Sequence, residues 1–347
     1  MHMHNRREFL LAGAAAATAG VLGLPRAALA QEKTLPLLSY GGRWETFFRE
    51  TLGPQFAALG YEPIIEVGNG GKWAADMRTA ARESPPYSYI MTNEIVGSIL
   101  RAEGYFEPWN PADVPNMAEL HPKALVADGA AVTAMFAPIG IAYRTDMVST
   151  PPKSWRDLWE NKELRDQLGL FSLQNTAGYM FLLMTAQTFG SGPFDFDTAF
   201  AKIEELGSFL QADMGGGLTV YLSRGEVGVA VQDMAETMNL RRKGVPVAFA
   251  IPEEGMFAFD QTFSKVANGP SPKAAADFLN LMLSEPIQKI LAQDFLYLPA
   301  RKGIELPQDL AELGLSTAAL DNLVSFDWVE ASKHRAEVTE RWNKLAR

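Results

Sequence analysis

The chain has 347 residues, with 31 basic and 41 acidic side chains, four histidines, no cysteine and a formal net charge of −10. This acidic balance repels polyanions, so it argues against nucleic acid as a partner. The absence of cysteine excludes thiol catalysis, thiolate metal sites and iron–sulfur clusters. The sequence has no H-E-x-x-H, G-x-S-x-G or Walker-type loop. We therefore expect no catalytic residues, no metal and no cofactor.

The first thirty residues are typical of an export signal. Arg6-Arg7-Glu8-Phe9-Leu10 precedes an apolar run from Leu11 to Leu24, and Ala28-Leu29-Ala30 follows. This order of charged, apolar and small-residue segments predicts a signal peptide, and the twin arginines resemble a Tat signal. The alternative is a buried N-terminal helix. Cleavage near Ala30/Gln31 would leave 317 residues with a net charge of −12, which we expect to be soluble in the periplasm.

Short apolar runs alternate with helical patterns through the rest of the chain, which predicts α/β layers. A chain of this length favours two lobes. The predicted strands are Thr34–Ser39, Pro63–Val67, Tyr87–Met91, Ala131–Phe136, Ile139–Tyr143, Gly169–Leu173, Val227–Val231 and Val245–Ile251. We expect the fourth and fifth of these runs to be two strands that flank a crossover.

The helical patterns are marked by capping residues. A helix is predicted to start near Arg43, and Asp197 is a suitable N-cap for the helical pattern that follows it. Another helix is predicted from Pro272 to Leu283, and Ser284-Glu285-Pro286 ends it and starts the next one. The tail from Ser316 to Arg347 is expected to be helical and amphipathic.

Three glycine loops follow or border predicted strands, and each could be a ligand loop or a plain turn. Glycine allows the backbone to approach a ligand, and a following helix offers free N–H donors. Tyr40-Gly41-Gly42 is favoured as a ligand loop because Arg43 and Trp44 add a cation and an aromatic face. Gly68 to Gly71 is favoured as a tight turn, and Gly215-Gly216-Gly217 is left open.

A polar segment from Ser172 to Tyr179 lies between a predicted strand and an apolar helix. Asn175 or Thr176 is expected to cap that helix. The same helix start could point at a ligand, with Tyr179 one turn further along. The two interpretations are compatible.

Asp233 and Asp260 are the strongest candidates for binding chemistry. Each follows an apolar run that we interpret as the end of a buried strand, and Phe257 and Phe259 accompany Asp260. A carboxylate beside aromatic rings suits an ammonium group through charge pairing and cation–π contact. The alternative is a helix cap or a surface charge. Asp195 and Asp197 are interpreted as caps, because no third metal ligand lies at a useful spacing.

Six stretches together resemble the polyamine-type extracellular solute-binding proteins of bacterial ABC importers, in the order found in that family. The block from Pro152 to Trp159 is the most specific of the six. The stretches are Ser39–Gly42, Ile141–Asp146, Pro152–Trp159, Ser223–Val227, Ile251–Gly255, and Ala274–Leu283 with Gln288. Two aromatic positions differ from the family pattern. The tryptophan expected within Val229–Glu236 is missing, and Phe257 or Phe259 takes the place of the tryptophan expected after Gly255. No adjacent Tyr-Tyr pair is present, which disfavours the iron-binding branch.

The resemblance implies a two-lobe periplasmic-binding-protein fold of type II, with a ligand cleft between the lobes. It implies one lobe from residues 31–137 plus about 260–300 and a second from 138–259. Helices within 301–347 are expected to pack across the lobes. It also implies a monomer that delivers a small-molecule ligand to an ABC permease in the inner membrane.

We therefore expect the chain to bind a small amine-containing solute, either a polyamine or an amino acid such as a short ω-amino acid. For an amino acid, Arg43 or the helix start at Asn175 and Thr176 would hold the carboxylate. The alternatives are an exported enzyme with Asp233 and Asp260 as an acid–base pair, or a sensor subunit. The expected ligand-binding residues are Ser39, Tyr40, Arg43, Trp44, Asn93, Asn175, Thr176, Tyr179, Gln232, Asp233, Phe259 and Asp260.

Overall fold

The computed structural model describes residues 33–213, 215–315 and 317–345. The predicted export signal, including Arg6-Arg7 and Ala28-Leu29-Ala30, lies outside these residues. Within them, none of the helices combines the length and the apolar character needed to cross a membrane.

The strands are numbered in chain order. They are β1 (Thr34–Ser39), β2 (Glu62–Val67), β3 (Tyr89–Thr92), β4 (Phe106–Glu107), β5 (Leu125–Val126), β6 (Ala131–Arg144), β7 (Leu168–Phe171), β8 (Phe209–Ala212), β9 (Val229–Asp233), β10 (Val247–Ala250), β11 (Phe257–Val266) and β12 (Leu298–Pro299).

The helices alternate with these strands. They are α1 (Arg43–Phe47), which continues through a π-helical turn (Phe48–Leu52) into α2 (Gly53–Ala58), α3 (Gly70–Thr79), α4 (Glu94–Ala102), α5 (Asp157–Glu160), α6 (Thr176–Phe189), α7 (Phe196–Glu205), α8 (Gly215–Arg224), α9 (Met234–Arg242), α10 (Pro272–Met282), α11 (Glu285–Gln293), α12 (Gln308–Ala311) and α13 (Trp328–Leu345). Short 3₁₀ turns occupy Pro115–Glu119, Pro122–Ala124, Ala127–Gly129, Lys162–Leu164 and Thr317–Asn322.

A single long strand, β6, organises the larger of two sheets. Strands β1 and β2 pair in parallel, and the larger sheet has the order β3-β11-β6-β9-β7-β8. One edge of β6 pairs with β11 and then β10. The other edge pairs with β5, β12 and β9 in turn. All fourteen residues of β6 are buried, so the strand runs through the middle of the molecule.

The apolar side chains form two clusters, one for each lobe. The second draws on residues 139–257 together with α13, and the first draws mainly on residues 35–136 and 263–323, with Met234, Ala235, Met238, Phe249 and Met256 in addition. Strand β6 passes from the first cluster at Phe136 to the second at Ile139. Helix α9 joins both, since Met238 packs in the first cluster and Leu240 in the second. The predicted α/β fold with two lobes is confirmed.

The lobe boundaries stay a prediction, and the tail divides between the clusters. Leu310 of α12 lies in the first cluster, whereas Ala331, Val338 and Trp342 of α13 lie in the second. Helix α13 also lies against α4, which falls within the predicted first lobe. The C-terminal segments therefore contribute to both apolar clusters.

Several predicted elements differ from the structure. The two strands expected at residues 131–136 and 139–143 are one strand, because Pro138 continues the pairing with β11 opposite Ala258. Asp260 was expected to end a strand but is the fourth residue of β11, whose second half pairs with β3. The cap of α7 is Asp195, which accepts a hydrogen bond from the Thr198 amide at 3.2 Å. Asp197 is exposed instead and pairs with Arg341.

The start of α6 packs tightly against the end of β7, and Gly178 makes this contact possible. A Cβ atom at Gly178 would lie 2.2 Å from the Ser172 carbonyl oxygen and 2.6 Å from that of Phe171. Both atoms belong to the backbone, so a side chain could be accommodated only if the helix shifted. Gly178 therefore fixes the position of the polar segment that precedes α6.

We predict that Gly178→Ala lowers the free energy of unfolding by about 1–3 kcal/mol, because the added methyl group overpacks this contact. Urea denaturation of the purified protein measures the change. Gly216→Ala is the matched control: it also lies near a helix start, but a Cβ there meets nothing within 4 Å. Alanine should be neutral or stabilising at that position. Equal stability of the two variants would contradict the tight packing inferred for α6.

Candidate functional site

A helix follows each of the strands β3, β7 and β9, and an Asn or Asp side chain caps each one. Asn93 accepts a hydrogen bond from the Val96 amide at 3.3 Å, and Asn175 accepts one from Ala177 at 2.9 Å. Asp233 accepts one from Glu236 at 3.1 Å. The capping role considered for Asn175 and Asp233 is therefore present in the structure, and Asn93 has the same role. Capping leaves the second carboxylate or amide atom of each side chain for other contacts.

A cavity of about 370 Å³ lies between the two lobes, against β6 and β11. Phe136 contributes from the first cluster, and Met180 and Phe257 contribute from the second. This volume is within the range of small-molecule sites. The lining residues are Glu94, Lys123, Leu125, Val126, Thr133, Phe136, Met180, Phe257, Ala258, Asp260, Leu323, Val324, Ser325, Phe326 and Trp328.

Asp260 places a carboxylate in the wall of this cavity. Its Oδ1 accepts a hydrogen bond from the Glu94 amide at 3.1 Å, and its Oδ2 accepts one from the Thr262 hydroxyl at 3.4 Å. In the described part of the chain, no Lys, Arg or His nitrogen lies within 4.0 Å of it. Burial, reinforced by the negative charge of Glu94, raises the pKa of Asp260 to about 7. The carboxylate thus lacks a cation.

Glu94 also lines the cavity, but its charge is already matched. Its carboxylate forms an ion pair with Arg101, two turns along α4. Both side chains are mostly buried, so this pair is shielded from solvent screening. Asp260 is therefore the carboxylate of this wall that is left without a basic partner.

Tyr40 lies beside Asp260 at the end of β1. Burial and the charge of Asp260 raise the pKa of its hydroxyl, which lies close to Thr92 and Gln261. Its ring contacts Trp44 with a centroid distance of 6.4 Å and Trp73 at 5.6 Å. The Tyr40-Gly41-Gly42 loop consequently connects the surroundings of Asp260 to the aromatic residues of α1.

Asp233 lies in a second acidic environment on the other edge of β6. Burial and then the nearby charge of Glu236 raise the pKa of Asp233 to about 7. The charge of Asp233 in turn helps to raise the pKa of Tyr297, whose ring lies 6.1 Å from that of Trp44. The Gln232 side chain is buried and accepts a hydrogen bond from the Asp233 amide at 2.9 Å.

The structure does not place Asp233 and Asp260 together. Asp233 is opposite Ile139 on one edge of β6, whereas Asp260 is opposite Phe136 on the other edge. Strand spacing and rise place their Cα atoms about 14 Å apart. A carboxyl pair that acts on one glycosidic bond lies about 5–9.5 Å apart. The register therefore gives no support to an acid–base pair made of these two residues.

The other predicted residues are distributed around these two environments. Ser39 is buried and donates to the Tyr40 carbonyl, and Phe259 packs partly buried against the second cluster. Arg43 donates to the Asp294 carbonyl at 2.5 Å and lies over the Phe295 ring. Thr176 is the first residue of α6. Tyr179 is buried, and its hydroxyl donates to the Ala331 carbonyl at 2.6 Å, so it connects α6 to α13.

Several residues that line the cavity were not predicted from the sequence. Glu94 directly follows Asn93, a predicted binding residue, so its position in the sequence was an available signal. Lys123 and Trp328 come from distant segments that meet only in the folded chain, and no local pattern marks them. Among the described residues, no group of three His, Asp or Glu side chains is arranged to hold a metal ion.

The sequence is similar to that of curated bacterial periplasmic proteins. A relative from Salmonella typhi, named as a candidate 2-aminoethylphosphonate-binding periplasmic protein, is 25% identical over 222 residues, which cover 60% of this chain and 62% of the relative. The chain thus spans about 62% of the length of the curated relatives that it matches.

Solved structures share the fold over nearly the whole chain. A candidate extracellular solute-binding protein from Bordetella parapertussis superposes with a TM-score of 0.81 at 21% identity, over 90% of this chain and 98% of that one. An ABC transporter structure from Clostridium perfringens gives a TM-score of 0.77 at 22% identity, over 89% and 99%. A family model described as bacterial extracellular solute-binding protein matches residues 87–323, more than half of the chain. The chain therefore belongs to the bacterial extracellular solute-binding protein family.

Proposed function

We propose that this protein is the periplasmic receptor of an ABC importer and that it binds a small amine-containing solute between its lobes. Arg6-Arg7 would direct export, with cleavage near Ala30/Gln31. The monomer would close around the ligand and deliver it to the permease. The observation that carries the proposal is the carboxylate of Asp260, which lines the interlobe cavity without a basic partner in the described residues.

The surroundings of Asp260 favour a cation over an anion. Asp260 has no basic partner within 4.0 Å among the described residues, and the aromatic residues Phe136, Phe257 and Trp328 line the same cavity. An ammonium group would pair with the carboxylate and contact these rings, and both interactions strengthen when water is excluded. The relative from Salmonella typhi is named for a ligand that carries an amino group, which supports the same assignment.

Asp233, with Trp44 and Tyr297 beside it, would form a second acidic position. Its distance from Asp260 means that one small ammonium cannot contact both carboxylates. We therefore assign the principal role to Asp260 and a supporting role to Asp233. A polyamine that reached both positions would depend on each, whereas a shorter amine would depend on Asp260.

We predict that Asp260→Asn weakens the binding of an amine ligand by thirty-fold to several thousand-fold, because one partner of a desolvated ion pair is lost, at a cost of about 2–5 kcal/mol. Calorimetry with putrescine, spermidine, 4-aminobutanoate and 2-aminoethylphosphonate measures the affinities. Binding should be stoichiometric and without turnover.

Asp195→Asn is the matched control for this substitution and for Asp233→Asn. Asp195 caps α7 much as Asp233 caps α9, but it lines neither the cavity of Asp260 nor the surroundings of Tyr297 and Trp44. It should change affinity little. The proposal fails if Asp260→Asn binds every amine ligand as tightly as the parent protein does.

We predict that amine affinity increases with pH. The pKa of Asp260 is about 7 without ligand, and a bound cation favours the ionised carboxylate, so binding below pH 7 must release a proton. Affinity should fall about tenfold per pH unit from pH 7 to pH 5 and level off above pH 8. Calorimetry in two buffers of different ionisation enthalpy counts the released protons. Constant affinity from pH 5 to 8 would exclude Asp260 as the counter-ion.

We predict that Asp260→Asn stabilises the ligand-free protein at pH 8. The folded pKa of Asp260 lies above its unfolded value, so its contribution to stability is present at low pH and is lost as the pH rises through about 7. The neutral amide should raise the free energy of unfolding by roughly 1–3 kcal/mol at pH 8 and change it little at pH 4.

The control has the opposite sign. Backbone hydrogen bonds from Ser191 and Thr198 lower the pKa of Asp195, so its ionised form stabilises the fold. Asp195→Asn should therefore destabilise the protein at pH 8. Thermal unfolding of both variants and the parent protein at pH 4 and pH 8 measures these changes. A lower stability of Asp260→Asn at pH 8 would show that the ionised carboxylate stabilises the ligand-free fold.

A further inference from the structure

The cavity contains a second charged side chain, Lys123, which the sequence analysis did not consider. Lys123 lies in the 3₁₀ turn Pro122–Ala124, and its Nζ donates to the Leu323 carbonyl oxygen at 2.6 Å. In the described part of the chain, no carboxylate oxygen lies within 4.0 Å of Nζ. Asp321 lies 3.3 Å from His121 Nε2 and forms no ion pair with Lys123, although its charge acts on Lys123 from a greater distance. Burial lowers the pKa of Lys123, and the charge of Asp321 offsets only part of this effect.

The remaining charges of the cavity wall cancel. Glu94 lines the cavity, but Arg101 already pairs with it. This leaves one carboxylate, Asp260, and one ammonium, Lys123, each without an ionic partner in the described residues. A dication that paired with Asp260 would be repelled by Lys123 through its second charge, and a simple anion that paired with Lys123 would be repelled by Asp260. A ligand with one charge of each sign matches both.

We propose that the ligand is a compact zwitterion, with its ammonium group on Asp260 and its anionic group on Lys123. This proposal rests on the amine-binding function above and specifies the class of amine. Apolar side chains, including Phe136, Phe257 and Val324, line the space that the two groups share, so they would contact the hydrocarbon between the charges. The anionic group would be a carboxylate or a phosphonate.

The two positions that the sequence predicted for an anionic group, Arg43 and the helix start at Asn175, suit the anionic group of this ligand less well than Lys123 does. Arg43 already donates to the Asp294 carbonyl and stacks on Phe295, and it does not line the cavity. The helix start at Asn175 lies beside Asp213, which accepts a hydrogen bond from Ser172 and adds a negative charge there. Lys123 is the cation that shares a cavity with Asp260.

Matched ligands test the proposal on the unmodified protein. 4-Aminobutanoate and 2-aminoethylphosphonate carry both charges, 4-aminobutanamide lacks the anion, putrescine is a dication, and butanoate lacks the ammonium. The zwitterion with the better fit should bind at least about tenfold more tightly than 4-aminobutanamide and putrescine, because a partly desolvated ion pair is added. Butanoate should bind more weakly still.

Variants of Lys123 identify the group that causes this preference. Lys123→Gln should bring the zwitterion and 4-aminobutanamide to similar affinities, and Lys123→Arg should retain the preference because it retains the charge. Lys289→Gln is the control, since Lys289 is an exposed lysine that pairs with Glu285 on α11. Circular dichroism checks that each variant is folded. If Lys123→Gln does not fold, the comparison of ligands on the parent protein still tests whether the site prefers a zwitterion.

The outcomes of these experiments distinguish this inference from the proposed function. If 4-aminobutanamide or putrescine binds as tightly as the zwitterions and Asp260→Asn abolishes that binding, the zwitterion is wrong and the amine receptor stands. If the parent protein binds none of the four amines, both proposals fall. A preference for zwitterions that survives in Lys123→Gln would overturn the role of Lys123.

Discussion

The burial of an ionised carboxylate without a cation is the constraint on which the rest of this site depends. Asp260 accepts hydrogen bonds from one backbone amide and one hydroxyl, and the charge of Glu94, which acts on it, has the same sign. Such a group is destabilising when charged, unless a positive charge arrives. A ligand cation would remove this penalty, so the interaction that weakens the empty protein would strengthen the complex.

The fold keeps this carboxylate in place through the long strand β6. Because β6 belongs to both apolar clusters, it brings β11, and with it Asp260, to the junction of the lobes. The start of α4 supplies the Glu94 amide, and the 3₁₀ turn before β5 supplies Lys123. Movement of one lobe relative to the other would therefore change the distance between groups on opposite walls, as a closing receptor requires.

Much of the fold could be predicted from the sequence, because local patterns encode it. Strand β1, the helix start near Arg43 and the cap at Asn175 are each marked by adjacent residues. The continuity of β6 could not be predicted, since proline normally interrupts a strand, whereas Pro138 lies in register opposite Ala258. The separation of Asp233 from Asp260 depends on strand register, and Lys123 enters the cavity through long-range contacts. Neither leaves a signal in nearby residues.

Asp260 is a carboxylate whose counter-ion, on this interpretation, is supplied by the ligand. Carbon-13 NMR of protein labelled at the aspartate carboxyl carbons, with Asp260→Asn to assign the resonance, measures its ionisation directly. At pH 6 the Asp260 carboxyl should be mostly protonated without ligand, because its pKa is about 7, and should become ionised when 4-aminobutanoate or putrescine binds. A resonance that is already ionised at pH 6, or that does not respond to a bound amine, would contradict the account.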